Sequence, residues 1–201
     1  EKSSQTTITN GTSASSDNTG GDYAGAVYVY KRTGTTWAQE AYIKAANVDN
    51  EDWYAEFVRI DNNTIAVSSR YEDSNQTTIT NGTSASSDNS NTGSGAVYVY
   101  KRTGTTWAQE AYIKASNNDG LGSHTYENFG SGVALSEDTL AVATYGEDSN
   151  QTTITNGSTA STDYSSEYSG AVFIYTRSGT SWSQQAYIKA KNNDESDFFG
   201  I

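Results

Sequence analysis

The sequence predicts an all-β chain built from tandem copies of one antiparallel sheet, on three observations. The segment GAVYVYKRTGTTWAQEAYIKA at Gly25–Ala45 returns unchanged at Gly95–Ala115 and as GAVFIYTRSGTSWSQQAYIKA at Gly170–Ala190. Inside it lies a pentad of β-prone residues, AVYVY or AVFIY, with glycine before it and a glycine-containing turn after it. The copies recur at a period of about 70 residues, longer than the roughly 20–50 of most solenoid repeats.

Taken in order, residues 1–24, 72–94 and 147–169 are near-identical stretches rich in Ser, Thr, Asn and Gly, which read as surface loops. Gln76–Thr80 alternates, and Asn81-Gly82 is a two-residue turn signal, so a short hairpin closing there is expected. The pentads at 26–30, 96–100 and 171–175 are unbroken apolar runs, the pattern of a strand buried on both faces. After the Thr-Gly-Thr turn, Trp37, Gln39, Ala41 and Ile43 point one way and Ala38, Glu40 and Tyr42 the other. That alternation predicts a half-exposed outer strand. A polar loop follows, carrying an insertion in the middle copy within residues 117–128. Then come a short strand, Phe129–Leu135 or Tyr54–Ile60, a tight turn, and Thr-Leu-Ala-Val-Ala or Thr-Ile-Ala-Val-Ser.

Each unit thus holds four strands, A to D, and the doubly apolar strand C requires a neighbour on either side. Blades of four antiparallel strands in a β-propeller meet that requirement. The expected organisation is a partial propeller: a part-blade over 1–45, blades over 46–115 and 116–190, and the start of another over 191–201. Closure takes about four to eight blades, so other copies of the chain or the rest of a longer chain are the expected partners. The free edge of the first strand C is a template for pairing.

With the strands placed, Phe129-Gly130 opening strand A, Leu140–Thr144 as strand B and Gly-Ala-Val-Tyr-Val-Tyr as strand C resemble FG-GAP repeats, the units of integrin-α-like β-propellers. The Tyr-Ile-Lys-Ala-Ser-Asn…Phe-Gly arrangement is most similar to the bacterial secreted group. The resemblance implies a propeller fold and an extracellular or cell-surface location. The first unit departs from it, with Tyr54-Ala55 at the Phe-Gly position and Ser68-Ser69-Arg70 where Gly-Ala-Pro would stand. The family's Asp-rich calcium loop between strands A and B is absent, because a short turn joins them here.

Composition excludes several classes. The chain has no cysteine, methionine or proline and a single histidine, His124, so disulfides and Cys-based metal or redox sites are ruled out. A net charge of −12 repels phosphate backbones, which argues against nucleic-acid binding. No apolar run reaches membrane-span length, so no insertion is expected. Hydrophobic residues make up only 34% of the chain, and fifteen tyrosines and four tryptophans supply the missing apolar area.

Candidate ligands lie in the loops between strands D and A. Asn47, Asp49 and Asp52 recur as Asn192, Asp194 and Asp197, with Asn117 and Asp119 in the middle copy. Oxygen ligands at this spacing suit Ca²⁺, which takes six to eight of them; the plain alternative is that Asn and Asp form turns by bonding their own backbone. Glu72-Asp73 and Glu147-Asp148 are paired carboxylates, the residue types of glycoside hydrolysis. Their repetition in every unit argues for a structural role instead, and no hydrolase motif or catalytic residue is assigned. Sequons at Asn10, Asn75, Asn81, Asn150 and Asn156 mark glycan acceptor positions in the long loops, and Asn62 begins a sixth. The expected function is a non-enzymatic structural or adhesive module that contacts proteins or surface glycans and self-assembles. The alternative is a lectin-like propeller with aromatics stacked on sugar rings.

Overall fold

The computed structural model describes residues 1–118 and 126–201, and every regular element among them is a β-strand. The strands are β1 (Thr9–Asn10), β2 (Val27–Thr33), β3 (Thr36–Ile43), β4 (Val58–Asp61), β5 (Thr64–Ser69), β6 (Thr80–Asn81) and β7 (Ala96–Thr103). They continue with β8 (Thr106–Ile113), β9 (Gly132–Ser136), β10 (Thr139–Thr144), β11 (Ile154–Asn156), β12 (Ala171–Ser178) and β13 (Ser181–Ile188). They form three sheets in the orders β1-β3-β2, β4-β5-β7-β8-β6 and β9-β10-β12-β13-β11. Pairing within each sheet is antiparallel.

The middle sheet explains the pentad. In β7 all of Ala96–Tyr100 are buried, as the unbroken apolar run predicts. Tyr98 and Tyr100 face a core shared with Val27, Val29, Ala41 and Ile43 of the first sheet. Val97 and Val99 face a second core with Leu140, Val142, Phe173 and Tyr175 of the third. Successive strand side chains point to opposite faces, so one pentad serves two interfaces. The same pentad in β2 buries Val27 and Val29 and leaves Tyr28 and Tyr30 exposed, because no sheet covers that side.

Three expectations about the strands need correction. First, Thr80-Asn81 does not close a hairpin; it pairs with Tyr112 and Ala111 on the outer edge of β8, and β1 and β11 do the same to β3 and β13. The loop between strands B and C therefore adds a short fifth strand to a four-stranded unit, and strand D is not outermost. Second, strand A begins later than expected, at Val58 and Gly132. The residues before it turn through positive φ, 72° at Ala55 and 96° at Gly130, which breaks the extended path. Glycine takes this conformation without steric cost, so Ala55 is the strained copy.

The third correction concerns strand D. Its alternation fails after Gln109: Glu110, Ala111, Tyr112 and Ile113 are all buried in succession. The register shows why, since Val99 opposes Ala111 while Tyr100 opposes Gln109, leaving Glu110 as the extra residue of a β-bulge. The same shift leaves Glu40 over in β3 and Gln185 over in β13. Bulges re-aim side chains: Glu40 and Glu110 turn toward the next sheet, and Gln185, at the end of the stack, is exposed. Among the described residues no helix is long and apolar enough to cross a membrane.

Candidate functional site

The bulges build a repeated clasp between neighbouring sheets. Glu40 accepts the Trp107 Nε1 hydrogen at 3.2 Å and an Arg102 Nη2 hydrogen at 2.6 Å. Asn10, on the added strand β1, accepts from Trp107 N at 2.7 Å and donates Nδ2 to Trp107 O at 3.2 Å. The second junction repeats it: Glu110 accepts from Trp182 Nε1 at 3.0 Å and Arg177 Nη1 at 2.9 Å, while Asn81 brackets the Trp182 backbone at 2.7 and 3.2 Å. The partners lie far apart in sequence, and charge-assisted bonds to half-buried carboxylates are the stronger kind. On the opposite faces of the sheet stack, Arg32 and Trp37 stand at one end and Asn156 and Gln185 at the other. Gln185 replaces the glutamate of the two internal clasps.

A second repeated assembly lies inside the middle and last units. The Glu72 carboxylate is buried and accepts from Lys114 Nζ at 2.6 Å, Tyr112 OH at 2.7 Å, Asn47 Nδ2 at 2.9 Å and Ser74 N at 3.2 Å. Glu147 does the same with Lys189, Tyr187, Asn117 and Ser149 N. Each carboxylate joins the start of a long loop to the end of strand D and to the connection from the preceding sheet. Burial holds the Lys114 ammonium below its ordinary pKa, with Glu72 pulling the other way. Burial likewise pushes the Glu147 carboxyl up, opposed by Lys189. These acids are saturated by structural partners, which leaves neither as an open acid or base.

The candidate calcium ligands fall into this framework. Asn47 accepts from Tyr98 OH at 2.6 Å through Oδ1, so both ends of its amide are engaged. Asn117 donates to Glu147 and to Ser161 O. Asp52 Oδ2 accepts from Asp49 N at 3.0 Å and Asp197 Oδ2 from Asp194 N at 2.9 Å, the side-chain-to-backbone bonds of a turn. Asp52 is buried, and its carboxyl is pushed up to about 8 by desolvation first and the nearby Glu72 charge second. Asn192, exposed, lies beside that last turn. Asp119 and His124 lie outside the described residues. Among the described residues no group of three His, Cys, Asp or Glu side chains converges as a metal site would require.

All six sequon asparagines are exposed. At Asn10 and Asn81 the Nδ2 that a glycan would occupy donates into a clasp instead. No family model, curated protein or solved structure matches the chain.

One substitution between copies exposes the logic of the network. Phe173 stands where Tyr98 stands, and the Asn117 Oδ1 that a tyrosine hydroxyl would meet is buried without a partner. Phe173→Tyr is expected to supply that bond and raise stability by about 1 kcal/mol, read as an increased urea midpoint at unchanged slope.

A cleft of 630 Å³ opens at the end of the sheets where strands D and A connect. Aromatic rings line it: Trp53 and Tyr71 on one side, Tyr145 and Phe198 on the other, with Tyr126 between. Sequence reasoning did not find this cleft, because its residues sit where the copies differ. The clasp was missed for the opposite reason: identical copies conceal which tryptophan meets which glutamate.

Proposed function

We propose that this chain is a non-enzymatic structural and adhesive module, a segment of a β-propeller, working outside the cell or on its surface by docking further units of its own kind. One observation carries the reading. Trp37 is 64% exposed, whereas the equivalent Trp107 and Trp182, gripped by a neighbouring sheet, are each 2% exposed. Tyr28 and Tyr30 lie bare on the same face, while Tyr98 and Tyr100 are fully buried. Arg32, the counterpart of Arg102 and Arg177, turns back onto Gly34 O instead of a carboxylate.

That face is an unfilled copy of an interface the chain makes twice. Burying three aromatics, each about 150–250 Å², against a complementary sheet supplies the driving force, and the clasp supplies the register. The β11–β13 face of a second copy offers the matching groups, Asn156 and Gln185. The β2 edge, which pairs only with β3, adds a row of open backbone groups.

Sedimentation velocity tests this. The 1–201 chain is expected to associate as its concentration rises, and Trp37→Ser is expected to weaken association at least tenfold without changing the circular dichroism spectrum. A native chain that stays monomeric, or a Trp37→Ser variant that associates equally well, overturns the reading.

A further inference from the structure

The cleft exists because the middle copy lacks a pair of rings. In the first copy Tyr23 stacks on Trp53 with centroids 5.0 Å apart and planes 21° apart; in the last, Tyr168 stacks on Phe198 at 5.9 Å and 28°. A shared backbone bond identifies the equivalent positions: Trp53 N to Tyr23 O, Asn128 N to Gly93 O, and Phe198 N to Tyr168 O. The middle copy therefore places Gly93 and Asn128 where its neighbours place two rings. Gly93 is confined to this spot, since a Cβ there would meet the Tyr126 ring at 2.1 Å. The Tyr126 ring lies over Gly93 instead, so the aromatic walls flank a floor made of Tyr126, Gly93 and Asn128.

Three features define what fits the gap. Among the described residues, the charged ones lining it are Glu51 and Asp73, both acidic. Asn128 is 1% exposed, and its Oδ1 has no partner although its Nδ2 donates to Tyr126 O at 2.9 Å. The wall already holds one cation: the Arg70 guanidinium sits 4.8 Å from the Tyr71 centroid and 5.5 Å from that of Trp53, paired with Glu56 at 2.8 Å. Aromatic faces attract cations through the ring quadrupole, the carboxylates attract them by charge, and the Asn128 carbonyl oxygen lacks a donor.

We propose that this cleft binds an arginine or lysine side chain of a partner polypeptide, seated between Trp53–Tyr71 and Tyr145–Phe198 with its N–H groups directed to Asp73 and Asn128. A saccharide also stacks on aromatic rings, but a neutral ring leaves both carboxylates without counter-charge. The net charge of −12 further favours approach of a cationic partner.

Calorimetric titration with acetyl-Gly-Arg-Gly-amide, acetyl-Gly-Glu-Gly-amide and chitotriose decides the matter. The arginine peptide is expected to bind saturably and the other two not at all. Its affinity is expected to fall at least tenfold in Asp73→Asn, which keeps the acceptor that Gly93 N uses, and several-fold in Glu51→Gln on the exposed turn. Raising the salt concentration is expected to weaken it further. Unchanged thermal midpoints in both variants tie the losses to the site. Absence of arginine-peptide binding, equal binding of the glutamate peptide, binding of chitotriose in preference, or an affinity indifferent to both substitutions each overturns the proposal.

Discussion

Lys114→Met is expected to cost about 3–5 kcal/mol of unfolding free energy, the usual penalty for stranding one member of a buried ion pair. Lys114 and Glu72 have side chains 0% and 1% exposed and meet at 2.6 Å. Removing the ammonium leaves a carboxylate with no counter-charge in a site closed to water, still held by Tyr112, Asn47 and Ser74 N. Adding Glu72→Gln to the variant removes the stranded charge and should restore a substantial part of the loss. Urea unfolding of the single and double variants measures both quantities. A Lys114→Met variant within about 1 kcal/mol of the native chain would show that the pair is not the internal tie described above.

Asp52→Asn is expected to act in the opposite direction, stabilising the chain at neutral pH. With a folded-state pKa of about 8 against an ordinary 3.8, the folded chain holds a proton on Asp52 that the unfolded chain has lost. Stability therefore falls as pH rises through that window, by about 1.4 kcal/mol per pH unit. By pH 7 the accumulated cost is on the order of 4 kcal/mol. Asparagine keeps the acceptor for Asp49 N and carries no charge, so the variant should escape this decline. Glu147, also pushed up by burial, slopes the same way in both proteins and cancels in the difference. Urea midpoints at pH 5 and pH 7.5 should show a gap between variant and native chain that widens with pH. A constant gap would place the Asp52 proton elsewhere.

Much of the fold was legible because it rests on period and repetition. The pentad Ala96–Tyr100 is unbroken because both of its faces meet a neighbour, and a strand with two buried faces needs no polar position. What could not be read depends on register and on contacts between copies. A bulge at Glu110 is invisible in an alternating string, since one extra residue on one strand leaves the sequence pattern of that strand intact. Asn10 and Asn81 carry hairpin and sequon signatures, yet their side chains bracket a tryptophan about a hundred residues away. Asn47 was noticed for its oxygen, but its amide meets Glu72 because a carboxylate buried beside Lys114 has lone pairs left to fill. The Tyr54-Ala55 departure from Phe-Gly was visible in sequence, and its consequence, a positive φ at alanine, was not.

The docking account turns on Gln185, the position where the exposed end of the stack lacks the glutamate that grips Trp and Arg at both internal junctions. Gln185→Glu would give that end a full clasp for the Arg32 and Trp37 of another copy. Sedimentation equilibrium of the variant is the most direct test of whether the clasp governs assembly. The account predicts that association tightens at least tenfold, and that Trp37→Ser abolishes the gain. Unchanged or weaker association, as added like charge alone would give in a chain already at −12, would contradict it.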